Sequence, residues 1–178
     1  MNAAQLRRVT EESFAHYRQG LIELLLDAVA GGASIGFLNT IDAAAARDYF
    51  EAVHNDIRRG TRLLWVVVKH EQVVASVQLD LCQKPNGRNR AEVQKLLVHT
   101  HSRRHGLARQ LMAELETAAR QAQRGLLYLD TETGSTAEDL YQGLGYERAG
   151  QIPDYACSPE GQYRPTSLYY KILQGPRS

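Results

Sequence analysis

Apolar positions recur at two periods along this chain, and each change of period marks a new element. Residues 5–10 form a short strand candidate with Leu6 and Val9 apolar. From about Glu12 the spacing becomes three and four, through Leu21, Leu24, Leu25, Ala28 and Val29, which is one face of a helix. Gly31-Gly32 ends it, because glycine tolerates the left-handed geometry of a helix stop. Asp42 is a good N-cap for a second helix whose inward face is Ala46, Tyr49, Phe50, Val53 and Ile57, with Gly60 as its stop. The period then falls to two. Residues 63–69 and 73–81 read as a hairpin across His70-Glu71-Gln72, with Val73, Ala75, Val77, Leu79 and Leu81 on one face. The Pro-Asn-Gly loop at 83–90 should bring back an antiparallel strand from Ala91.

A long helix follows, striped by Leu107, Leu111, Leu115, Ala118 and Ala122 and stopped at Gly125. Residues 126–129 are a short, continuously apolar strand, the kind buried on both faces. Strand, helix and strand in that order make a crossover, so this strand should run parallel to the Ala91 strand. A last helix is predicted from Ser135 or Thr136, with Ala137, Leu140, Tyr141 and Leu144 inward. Strands at 146–149 and 167–173 then close the chain around a polar loop at 153–165. The order predicts an α+β fold, a predominantly antiparallel mixed sheet with one central parallel pair and helices on both faces. No repeat or linker interrupts it, so residues 1–178 are expected to form one domain.

Composition narrows the partners. A 43% hydrophobic, 23% charged chain of 178 residues is that of an ordinary globular protein. A net charge of +1 provides no field for nucleic acid or an acidic membrane surface. No N-terminal apolar run is present, and Cys82 and Cys157 make no CxxC, so a cytoplasmic protein with free thiols and no metal is expected. The six histidines show no ligand spacing, and the His99-x-His101 pair falls in a turn expected to be solvent-exposed.

Against that balanced background, residues 91–112 stand out. The apolar run Val93, Leu96, Leu97, Val98 gives way to a turn that opens a helix through Arg103-Arg104-His105-Gly106-Leu107-Ala108. The first turn of a helix carries N–H groups without intrahelical partners, and its dipole favours phosphate. Gly106 leaves the backbone approachable. Arg103, Arg104 and Arg109 suit one small anionic ligand.

These residues resemble the GNAT superfamily of acyl-CoA-dependent N-acetyltransferases. Its Gln/Arg-x-x-Gly-x-Gly/Ala motif stands here as Arg103 to Ala108, and its Leu-Tyr-x-x-Leu-Gly-Tyr motif as Leu140-Tyr141-Gln142-Gly143-Leu144-Gly145-Tyr146. Within the superfamily, L-R-R-V-T, S-F-A-H-Y-R, L-C-Q-K-P-N-G and N-R-A-E-V-Q-K-L are similar to the acetyltransferases that give pseudomonads tabtoxin resistance, which act on the amino group of a β-lactam-bearing toxic amino acid. The resemblance implies acetyl-CoA as co-substrate, a small-molecule amine as acceptor and, in some members, a homodimer. It places the pyrophosphate on the 103–108 turn with Arg109 beside it, and the pantetheine arm along Leu96, Leu97 and Val98. One departure is Gly134, where the family often has Asn; that contact is expected to pass to Ser135 or Thr136.

Acetyl transfer needs a base for the amine and an acid for the departing thiolate. Six residues back from Val98, roughly 20 Å at about 3.3 Å per residue, lies Glu92. It is a carboxylate on a strand expected to be central and the first candidate base. Histone acetyltransferases of the superfamily carry their catalytic glutamate at the same strand position. Asp130, leaving the C-terminal end of the parallel neighbour, could share that role or hold the substrate ammonium. Tyr141 is the candidate acid. Trp65 and Phe37 are candidates either for an acceptor pocket or for core. A carboxylate on the acceptor would want a cation, and Lys84, Arg88, Arg90 and Lys95 are all open candidates. The loops at 31–40 and 153–165 are placed to cover the acceptor. Two other readings stay open: a non-catalytic acyl-CoA-binding domain, and a peptide or protein N-acetyltransferase, which would need an open groove.

Overall fold

The structure, a computed structural model, describes residues 3–173. Met1 and Asn2 of the N-terminal reading, and the last five residues of the predicted domain, lie outside them. In chain order the elements are β1 (Gln5–Val9), α1 (Phe14–Ala30), α2 (Ala43–Arg58), β2 (Arg62–Lys69), β3 (Gln72–Leu81), β4 (Arg90–Val98), α3 (Leu107–Gln121), β5 (Leu126–Glu132), α4 (Thr136–Gly143), β6 (Glu147–Cys157) and β7 (Tyr163–Ile172). The strands form one seven-stranded sheet, ordered β1-β2-β3-β4-β5-β7-β6. β4 and β5 are parallel, and the other neighbours are antiparallel. The α+β fold expected from the sequence is the fold observed.

Each face of the sheet has its own core. On one, α1 and α2 bury Phe14, Leu21, Leu24, Leu25, Phe50 and Val53 against Leu64, Val66 and Leu97. On the other, α3 buries Leu107, Leu111, Met112 and Leu115 against Trp65, Val77, Leu79, Val93 and Leu127. Fully burying one such side chain is worth about 1.5–3 kcal/mol, which is why the apolar stripes decide which way each helix turns. The Asp42 cap is present, its carboxylate accepting from the Ala45 N–H at 2.8 Å.

Four local expectations are corrected. Val73 does not share a face with Ala75. The register passes from Val67↔Ala75 to Val68↔Val73, so Val74 is an extra, bulged residue. Val73 therefore turns to the α1 core, where a Cβ at Gly20 would lie 2.7 Å from its Cγ2. Residues 126–129 are not buried on both faces: Leu127 and Leu129 are buried, but Leu126 and Tyr128 are half-buried, because α1 and α2 do not extend over β5.

The third correction concerns the end of the chain. β6 runs through Cys157 and β7 starts at Tyr163, so the predicted loop at 153–165 is mostly a paired hairpin. Two register shifts, between Arg148 and Gly150 and between Ile152 and Ala156, break the period of two that would reveal a strand. β6 is also largely exposed, so its sequence has no apolar face. The fourth concerns His99, which is not a free loop residue. Its Nδ1 accepts from the His101 N–H at 3.2 Å, and its Nε2 lies 3.5 Å from Asp27 Oδ1. His101 is exposed, as expected.

Candidate active site

The parallel ladder between β4 and β5 is short. It pairs Arg90↔Leu126, Ala91↔Leu127 and Glu92↔Tyr128, and no further rung is formed. Beyond Glu92 the two strands part, although β4 continues to Val98 and β5 to Glu132. A cleft of about 1090 Å³ opens where they separate. A strand edge without a neighbour presents unpaired N–H and C=O groups, and here that edge carries Leu96, Leu97 and Val98, all of which line the cleft.

At one end the cleft meets the start of α3. Gly106 is the N-cap residue with φ 74°, and a Cβ there would touch nothing within 4 Å. Arg104 is also left-handed, φ 64°, a conformation uncommon for a residue with a Cβ. The first helical bond runs from the Gln110 N–H to the Gly106 carbonyl at 3.1 Å, so the N–H groups of Leu107, Ala108 and Arg109 have no intrahelical acceptor. Arg103, Arg104, Gly106, Leu107, Ala108 and Arg109 all line the cleft. His105 does not: its Nδ1 is turned back to the Ser102 carbonyl at 3.2 Å. Gly143 makes room for Arg109, since a Cβ there would stand 3.1 Å from its Nη2.

On the α4 side, Gly134 stands clear of the cleft, and Ser135 and Thr136 line it. The Gly134 N–H donates to Glu138 Oε2 at 2.7 Å, and the Tyr169 hydroxyl donates to Glu138 Oε1 at 2.8 Å, which fixes the turn into α4. Tyr141 follows one turn on, buried with its ring against Tyr146 and Tyr169, and it lines the cleft. Burial, with the charge of Asp130 adding to it, pushes the Tyr141 phenol far above its ordinary range. The hydroxyl therefore keeps its proton and can act as a hydrogen-bond donor into the cleft.

The other end of the cleft brings together Glu92, half-buried, and Asp130, exposed. Asp130 Oδ2 accepts from Thr166 Oγ1 at 2.9 Å, which orients its carboxylate. Lys95 lines the same end. Its ammonium lies 5.8 Å from the Phe37 ring centre and 5.6 Å from that of Tyr49. Trp65, by contrast, is fully buried core. Beneath Lys95 runs a polar floor. Arg62 donates to Gln78 at 3.0 Å, to Gln94 at 2.7 Å and to Asp56 at 3.2 Å, and the Tyr49 hydroxyl donates to Gln78 at 3.2 Å. Sequence reading did not select Arg62, Gln78 or Gln94. The available signal was a polar row opposite the apolar face of the hairpin, Ser76, Gln78 and Asp80 on β3, met by Gln94 and Glu92 on β4.

Two further segments line the cleft, the loop after α1 and the hairpin of β6 and β7. Residues 31–36 line the cleft, and Tyr155, Ala156, Arg164, Pro165 and Thr166 face them from the β6–β7 hairpin. They are joined by a hydrogen bond from the Asn39 N–H to the Pro159 carbonyl at 3.0 Å. Among the described residues no cluster of three or more His, Cys, Asp or Glu could hold a metal, and no helix is long and apolar enough to cross a membrane.

A sheet split beside a helix N-terminus, with a protonated tyrosine and two carboxylates along the split, is the framework of an acyl-CoA-dependent transferase. The chain belongs to the acetyltransferase (GNAT) family, whose sequence model matches residues 37–146. It is an acyltransferase that moves acetyl from acetyl-CoA to an amine. Its fold is shared by an N-acetyltransferase from Staphylococcus aureus (TM-score 0.79, 16% identity, 97% of this chain and 99% of that one). It is shared too by a ribosomal-protein-alanine N-acetyltransferase from Brucella melitensis (0.78, 23%, 94% and 99%). The yncA protein of Salmonella typhimurium, solved with its cofactor acetyl-CoA, also has it (0.78, 18%, 99% and 97%).

Proposed function

We propose that the acceptor is the amino group of a small molecule, of the toxic amino acid or β-lactam antimetabolite class, and that transfer is direct. The observation that supports a small acceptor is the bond between Asn39 and Pro159, which ties the segment after α1 to the β6–β7 hairpin, and residues of both line the cleft. A peptide acceptor needs that end open as a groove. The narrower toxin class rests on the sequence resemblance alone, and a cytoplasmic location on Cys82 and Cys157 read as free thiols.

Acetyl-CoA supplies the activated thioester. In this reading the N–H groups at the start of α3, with Arg103, Arg104 and Arg109, hold its pyrophosphate, and the free edge of β4 at 96–98 pairs with the pantetheine arm, with Ser135 opposite. Glu92 takes the proton of the acceptor ammonium, directly or through a water. Asp130 orients that ammonium. Tyr141 holds a proton at its hydroxyl for the sulfur that leaves as the new C–N bond forms. The intact set Glu92, Asp130 and Tyr141 favours turnover over a binding-only role.

The test is thiol release from acetyl-CoA against a panel of small amines and short peptides, run with wild type, Glu92→Gln and Tyr141→Phe. Small amines should turn over faster than peptides, and both variants should slow without losing acetyl-CoA binding. Undiminished turnover in both variants sinks the mechanism, and preference for peptides sinks the acceptor class.

A further inference from the structure

We infer that Lys95 is the specificity-determining residue for the acceptor and binds a carboxylate on it, so that the substrates are amino acids rather than simple amines. This rests on the transferase reading of the same cleft.

The first ground is that the ammonium is available. Lys95 is half-buried and makes no ion pair among the described residues. A buried charge without a partner is unfavourable and is normally paired. The other cations near this end are committed or outside it. Arg62 is held by Asp56, Gln78 and Gln94. Arg164 is exposed and donates to Gln162 at 2.8 Å. Arg103, Arg104 and Arg109 belong to the α3 end of the cleft. Of the four cations the sequence left open, Lys84, Arg88 and Arg90 do not line the cleft, and Lys95 does.

The second ground is that the backbone is bent to aim it. Between Ser76↔Leu97 and Gln78↔Gln94, β4 has one residue more than β3, and Lys95 sits in that bulge with φ 51°. A bulge re-aims a side chain, and a left-handed non-glycine residue persists only where its surroundings hold it. The Phe37 and Tyr49 ring faces hold the ammonium from one side, and a Cβ on Gly36 would lie 3.7 Å from Nζ.

The third ground is charge complementarity. Burial pulls the Lys95 ammonium below its ordinary range, Arg62 adds to that, and Asp130 and Glu92 oppose it without pairing. Two carboxylates and one separate ammonium at one end of a cleft are the mirror of a zwitterion. The ammonium of an amino acid would face Glu92 and Asp130, and its carboxylate would face Lys95.

The experiment compares kcat/KM within matched pairs of acceptors: L-methionine with L-methioninamide, L-lysine with cadaverine, and L-phenylalanine with phenethylamine. Wild type should favour the carboxylate member of at least one pair by about 10- to 100-fold, the range of a charge-assisted hydrogen bond. Lys95→Met should bring that ratio toward one with acetyl-CoA affinity unchanged, and Lys95→Arg should restore most of it. Equal use of both members by wild type, or a Lys95→Met loss that is the same for both, overturns the assignment and leaves acetyl transfer standing. Acetyl-CoA that fails to bind, or that gives no thiol release with any amine, overturns the transferase reading and the assignment with it. The wild-type comparison decides even if Lys95→Met does not fold.

Discussion

Glu92 and Tyr128 face each other on the last rung between β4 and β5. The pair marks the vertex of the split: before it the backbones bond to each other, and after it each strand has a free edge. Burial raises the Tyr128 phenol, and the Glu92 carboxylate adds to that rise, so the charge of Glu92 is felt across the rung. Glu92 is thus fixed by paired backbone while its side chain reaches the cleft. Removing the carboxylate should cost about 10²–10⁴ in kcat/KM, the usual worth of a positioned base. Glu92→Gln should show that loss at unchanged acetyl-CoA affinity. Asp130→Asn should instead act mainly through the KM of the amine, because in the proposed mechanism its carboxylate, fixed by Thr166, orients the ammonium and takes no proton. If the two variants exchange these signatures, the base and orienting roles exchange with them.

Tyr141 is the second test. Its phenol is raised by burial and by Asp130, so it keeps its proton at neutral pH, and only a leaving sulfur more basic than an ordinary thiolate, or one still bonded in the transition state, would draw on it. Tyr141→Phe keeps the ring that packs on Tyr146 and Tyr169, so it should fold normally and bind acetyl-CoA. We expect kcat to fall by about 10²-fold with little change in KM, and the loss to be smaller with an acyl donor whose thiol leaving group is more acidic. An equal loss with both donors argues against proton donation by Tyr141.

Alkaline pH tests the same pair of tyrosines through stability. Tyr141 and Tyr146 are both buried, and burial raises both phenols; for Tyr146 the nearby Glu116 carboxylate adds to the rise. Their protons are kept in the native state where the unfolded chain releases them, at about pH 10. Above that pH the unfolded state binds fewer protons than the native state, so stability present below it falls as pH rises. The Tyr146 hydroxyl is buried without a well-formed hydrogen bond among the described residues, the Glu116 carboxylate being beside it but not in hydrogen-bond geometry. Tyr146→Phe should therefore raise stability at pH 7 by about 1 kcal/mol, the cost of an unsatisfied buried hydroxyl, and flatten the decline above pH 10. Urea unfolding at pH 7 and pH 10.5 reads both effects.

The parts of this molecule that repeat a simple period could be read from its sequence. The helices at 14–30 and 107–121 and the parallel strand after α3 follow from spacing, and the α3 nest follows from Gly106 among arginines. The parts hidden from sequence are those where the period is broken. Lys95 sits in a bulge, so counting along β4 cannot assign its side chain to a face, and it remained one of four cations. The bulge at Val74 turns Val73, beside it on β3, to the face opposite the one that alternation predicts. β6 has two such shifts and no buried face, so its pairing with β7 rests on backbone bonds that leave no mark in the pattern of side chains. The His70-Glu71 turn is a milder case. Both residues have positive φ, 50° and 62°, a type I′ conformation that usually selects Asn and Gly.

Gly106 offers the sharpest separation of binding from folding. Its φ of 74° puts an added Cβ in a left-handed conformation, at a cost of about 1–2 kcal/mol. No protein atom lies within 4 Å of where that Cβ would stand. The position lines the cleft, so the Cβ would occupy space beside the free N–H groups of α3. Gly106→Ala should consequently fold, lose little more than the conformational cost, and weaken acetyl-CoA binding by at least about tenfold. Gly106→Asn separates the two contributions, because asparagine tolerates left-handed geometry while still carrying the Cβ. It should be more stable than Gly106→Ala and bind acetyl-CoA no better. Calorimetric titration with acetyl-CoA and thermal unfolding of the two variants measure this directly. Recovery of wild-type affinity in Gly106→Asn means that backbone strain, and not access of the pyrophosphate to the helix N-terminus, is what the glycine provides.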